Sequence, residues 1–147
     1  MTTVGSNVAP ICSIARPSVA EIWPPNHKVV IPVNILGVTD PDGDRVTITV
    51  TRILQDEPSD TLGDASTAID GFGVGTPQAS VRAERSGTPK VPGNGRVYEI
   101  QFTGSDGRGG SCSGAVLTSV PHDQGKGPAI DDGIRYDSTV AGGPRVR

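Results

Sequence analysis

The sequence predicts an all-β domain of the sandwich class, on three observations. Val and Ile supply 28 of the 147 residues against four Leu and one Met, and Thr adds 13, a balance suited to pleated, half-buried surface. Apolar residues recur with period two in several short runs, and none of the runs has a helical period. Twenty Gly and 13 Pro break those runs as frequently as turns do between the short strands of a sandwich or barrel. A chain of this length fits one domain with a core of its own.

Taken in order, residues 11–14 and 19–22 form a first strand in two pieces. Val29, Ile31, Val33 and Ile35 mark one face of the second, which runs on to Val38. Val46, Ile48 and Val50 mark the third, with Thr47, Thr49 and Thr51 on its wetter face. Residues 78–85 are a weaker candidate, Tyr98, Ile100 and Phe102 define a strong one, and Val116 and Val120 share the inward face of the last with Cys112. Antiparallel strands at this spacing close best as two packed sheets, so the expected architecture is an immunoglobulin-like antiparallel β-sandwich of about seven strands with extended N- and C-terminal segments. The expected division is an N-terminal extension over 1–10, the sandwich over 11–124 and a tail over 125–147. Residues 56–77 form a Gly- and Asp-rich insert too long for a simple turn.

The net charge of −3 and pI near 5.2, with no dense run of Lys or Arg, lack the electrostatic footprint of a nucleic-acid binder. No stretch approaches the roughly 18 apolar residues that span a bilayer, and MTTVGSNVAP has neither the basic nor the apolar part of a signal peptide. Cys12 and Cys112 match no zinc spacing. A disulfide is the natural reading, with two buried free thiols as the alternative; the bridge would add about 4–5 kcal/mol in an oxidising compartment. His27 and His122 alone could serve as neutral-pH bases, and neither sits in a nucleophile motif, so no enzyme is expected.

The segments IWPPNHK (22–28), TDPDGDRVTITV (39–50), QDEP (55–58), RAERSG (82–87), GRVYEIQFTGSDGRGGSCSG (95–114) and VPHDQ (120–124) resemble bacterial extracellular immunoglobulin-like repeats, the broad group that includes PKD-like and HYR-like modules. The resemblance covers roughly residues 10–124 and implies a non-catalytic, secreted or surface module of the kind found in tandem in adhesins, spacers and matrix proteins.

Asp40, Asp42 and Asp44 place three carboxylates within five residues, hard oxygen ligands suited to Ca2+. The spacing excludes an EF-hand, because Gly43 is fourth instead of sixth and Thr51 stands at the twelfth position. In a seven-strand sandwich the SDGRGG loop brings Asp106 to the same end, where two acidic loops need hydration, pairing with Arg108 or a bridging cation. A hairpin turn shaped by Pro41 and Gly43 accounts for the same residues without metal. At the opposite end His27 and Lys28 are expected near Asp56 and Glu57 as ion pairs. Trp23 reads as a rim residue over the core rather than a sugar platform, and PHDQ, with His122 and Asp123, as a turn rather than a metal pair.

In the tail, Ile130, Ile134, Tyr136 and Val140 lie even numbers of positions apart through a polar stretch, which places them on one strand face. Such a segment, unpartnered in its own domain, would pair with the edge of the next molecule, and head-to-tail repetition would build a filament. A linker explains the Gly and Pro content equally well. The expected function is therefore that of a secreted or surface-displayed structural or adhesive module, self-associating or joined to neighbouring immunoglobulin-like domains. The competing expectation is a carbohydrate- or protein-binding module appended to a larger secreted protein.

Overall fold

The computed structural model describes residues 7–23, 26–57, 69–83, 95–121, 129–140 and 145–146, with the backbone alone for 26–28. The described residues form eight strands: β1 (Arg16–Pro17), β2 (Asn26–Leu36), β3 (Thr47–Gln55), β4 (Gly71–Phe72), β5 (Gln78–Ala83), β6 (Arg96–Ser105), β7 (Ser111–Val120) and β8 (Tyr136–Asp137). They form two four-stranded antiparallel sheets, ordered β1-β2-β5-β4 and β7-β6-β3-β8. Val33, Val50, Ile53, Val81, Tyr98, Ile100, Phe102 and Val120, each at most 1 % exposed, fill one core between them.

Alternation sets the strands as the sequence predicts, with Ile48 and Val50 packed inward on β3 and Tyr98, Ile100 and Phe102 inward on β6. Pro32 lies within β2, which is possible because β1 covers only Ile35 and Leu36. Asn34 turns its backbone groups toward Ser18 on the β1 side. Pro32 shares that parity, so its missing N–H falls on the side away from β5, where none of the described residues pairs with it. A bulge at Thr51 interrupts the β3–β6 register, and beyond it the inward residues become Ile53 and Gln55.

Cys12 and Cys112 form a disulfide with a Cα–Cα distance of 5.7 Å. Gly114 makes room for it: a Cβ there would lie 3.2 Å from Cys12 Cβ and 3.0 Å from Phe102 Cζ. The residues after Cys12 pair first with β2, through Arg16 and Pro17. They then cross to β7, where Glu21 forms a parallel bridge with Ser119.

The C-terminal segment, expected to lack a partner in its own domain, has one. Tyr136 and Asp137 pair with Gln55 and Leu54 on the edge of β3. Ser138 N–H donates to Ile53 O, and Ser138 O accepts from the N–H groups of Asp70 and Gly71. The even-spaced apolar residues do not share a buried face. Ile130 and Val140 are 61 % and 48 % exposed, Ile134 and Tyr136 are half-buried, and the buried residues of the segment are Arg135 and Ser138. Polar anchoring holds this segment, which is why an apolar period misplaced it.

Candidate functional site

β3 and β6 define two poles. At the first lie the turn after residue 39, the β6–β7 turn and the N-terminal segment; at the second lie the ends of β3 and β7, the start of β6 and residues 131–135.

Asp40 begins the first-pole turn. Its Oδ1 accepts the N–H groups of Asp42 and Asp44 at 2.8 and 3.2 Å, and Gly43 N–H donates to Asp40 O at 3.0 Å. Asp, Pro and Gly at the first, second and fourth positions are the residues a type I turn favours. The turn geometry thus exists together with a carboxylate cluster, in which Asp40, Asp42 and Asp44 each offer an oxygen and these oxygens lie within 4.8 Å of one another. Asp40 Oδ2 and Asp44 Oδ2 are buried and accept no hydrogen bond. Two acceptors shielded from water with nothing to accept from fit a hard cation. Asp42 is exposed and its Oδ2 accepts Val8 N–H at 2.8 Å.

Asp106 stands outside that cluster. Its Oδ1 accepts the N–H groups of Arg108 and Gly110, and its Oδ2 accepts Asn7 Nδ2–H at 2.7 Å. These bonds, that from Asn7 foremost, hold its carboxyl below the usual carboxylate range. It organises its own loop, and the loops are joined by Arg108 Nε and Asp44 Oδ1 at 3.4 Å. With Arg108 71 % exposed, that pair contributes little. Residues 7 and 8 join the two turns more directly, one to each.

The second pole holds an ionic network that the sequence reading missed. Arg96, fully buried, donates through Nε to Glu57 Oε1 at 2.9 Å and through Nη1 to Asp70 Oδ2 at 3.0 Å. Gln55 Nε2–H donates to Glu57 O and Asp70 Oδ2, and Tyr98 O–H donates to Arg82 O across the sandwich at 2.8 Å. Glu57 therefore pairs with Arg96; the side chains of His27 and Lys28, and both His122 and Asp123, lie outside the described residues. Asp56, 3 % exposed, accepts Val97 N–H at 2.9 Å and Asp132 N–H at 3.2 Å. Arg135 reaches Glu99 Oε1 at 3.2 Å and grips both oxygens of Asp131 at 2.7 and 2.8 Å. Trp23 is 39 % exposed.

The chain matches no family model, no curated protein and no solved structure. No helix of the described residues is long and apolar enough to cross a membrane.

Proposed function

We propose that this chain is a non-catalytic structural or adhesive module that works outside the cell, an immunoglobulin-like domain of the PKD-like and HYR-like kind. The observation that carries this reading is the covalent path through the fold. The N-terminal segment is fastened at the first pole, through Asn7, Val8 and the Ile11–Thr39 bridge. The C-terminal segment is fastened at the second, through Asp132, Arg135 and Ser138. Between them the disulfide bypasses a sequence separation of 100 residues. Tension entering before Cys12 crosses to Cys112, runs along β7 and leaves at the far pole, so β1 to β6 lie off its covalent path. Such a path suits a link in a fibre or matrix. The disulfide itself belongs to an oxidising compartment, which supports a secreted or surface location.

In its preferred form the module is a subunit that joins neighbours head to tail by exchanging the C-terminal segment. The bonds that β8 and Ser138 make to β3 and β4 in their own domain are equally available to the segment of an adjacent copy. Asp40, Asp42 and Asp44 would hold Ca2+, with water completing its shell, and Asp42 would couple that ion to the N-terminal segment through Val8. Electron microscopy of the purified chain, with and without calcium and after truncation at Gln124, tests this form. Filaments that disappear on truncation support exchange; dispersed single particles under every condition overturn self-association.

A second reading, binding of a carbohydrate or protein ligand, is favoured by one feature. A shallow groove of about 420 Å³ on the β3-β6-β7 sheet is lined by Thr51, Glu99, Gln101 and Ser113, side chains able to hydrogen-bond hydroxyl or amide groups. Retention of the monomer on a glycan array or by a surface protein would select it.

A further inference from the structure

A strand at the edge of a sheet leaves one row of N–H and C=O groups without a ladder. Among the described residues, three of the sheet edges are β1, β4 and β8, each two residues long, whereas the fourth is β7, with ten. Alternation identifies its free groups. Ser119 N–H donates to Ala20 O, and Ser119 O accepts from Ile22 N–H, so Ser119 turns its backbone away from β6. Ser111, Ser113, Ala115 and Leu117 share its parity and turn the same way. Residues 20–22 fill the edge only beside Ser119. Among the described residues the outward backbone groups of the other four have no partner. All four residues are exposed, Leu117 at 48 %.

Nothing on β7 protects this edge. The strand reads SCSGAVLTSV, with no charge and no Pro, and its register with β6 runs without a bulge. The missing charge also points to the occupant. A two-fold axis lays a strand antiparallel to its own copy, so a charge near the axis would meet its like. A fifth of all residues in this chain are charged, at 20 %, yet β7 has none.

We infer that β7 is a self-association edge, pairing antiparallel with β7 of a second copy about an axis at Gly114. In this register Ser111 lies opposite Leu117 of the second copy and Ser113 opposite its Ala115. Every free N–H and C=O from Ser111 to Leu117 then finds a partner, and the sheet continues across the axis. Ser and Ala at the central pairs add no bulk, and the contact ends before Ser119, where the edge is already filled. This contact is lateral and does not depend on linkage through the terminal segments.

The test combines sedimentation equilibrium with amide exchange on the full chain, from micromolar to millimolar concentration, for the wild type, Ala115→Pro and Ala115→Lys. Proline at 115 removes only the outward N–H and leaves the β6 ladder intact. Lysine keeps that N–H but places like charges on diagonal positions across the axis. The expected result is a dimer that grows with concentration, slows the amides at 111, 113, 115 and 117 in parallel, and is lost in Ala115→Pro. In Ala115→Lys the dimer should weaken at least tenfold and recover partly with salt. A monomer at every concentration, with those amides exchanging freely, overturns the inference and leaves the edge to a strand from a different protein. A dimer indifferent to both substitutions overturns it as well, by placing the contact elsewhere.

Discussion

Burial pushes the Asp56 carboxyl up from 3.8 to about 6, against the N–H groups of Val97 and Asp132, which favour its charged form; Glu57 and Asp132 add to the rise. Because the folded value is the higher one, the fold favours the protonated group. Its contribution to stability is complete below pH 3.8 and is lost as the pH rises through about 6. Asp56→Asn removes this titration, so the stability of the wild type relative to the variant should fall across that window, read from urea midpoints at successive pH values; parallel profiles would contradict the assignment. Arg96 shows what a sequence reveals at this scale. It shares the parity of Tyr98, Ile100 and Phe102 and therefore faces inward, a position legible from alternation once charge is allowed inside. Its partners Glu57 and Asp70 were not legible, since they lie 39 and 26 residues away.

Among the elements, the C-terminal segment is attached by polar groups. Arg135 is 5 % exposed and spans from Glu99 on β6 to Asp131 in its own turn. Its removal takes a charged donor from the carboxylate of Glu99, which is 8 % exposed. Arg135→Ala should therefore cost about 2 kcal/mol. Urea denaturation measures this, and a change within about 0.5 kcal/mol would mean that the segment is held by other contacts. The long strands were legible because alternating Val, Ile and aromatic residues reflect a half-buried sheet. The bulge at Thr51 was not, because nothing in TVTRILQ marks an extra residue as glycine often does. The docking of β8 was hidden for a related reason: two residues carry no period, and the side chains that anchor the segment, Arg135 and Asp131, read as solvent-facing.

For the molecule as a whole, the two poles have different chemistry. The first gathers the Asp40–Asp42–Asp44 turn and the Asp106 loop around the N-terminal segment, and the acidic cluster was visible in the spacing of TDPDGD. Asp106 lies at that pole too, but its oxygens are taken up by Asn7, Arg108 and Gly110, a local demand that strand order cannot reveal. The second pole is an interior of paired charges beneath the C-terminal segment. The disulfide joins the first pole directly to β7, and the proposed role as a link depends on that shortcut. Stretching single molecules from tags at both termini, with and without reductant, tests it most directly. With the disulfide intact, the stretch from Cys12 to Cys112, a sequence separation of 100, should not extend, so reductant should lengthen the unfolded chain by about 350 Å. Reductant should also add a rupture of the two sheets, because the load then passes through β1 to β6 instead of around them. Equal extensions and the same ruptures in the two conditions would contradict the account.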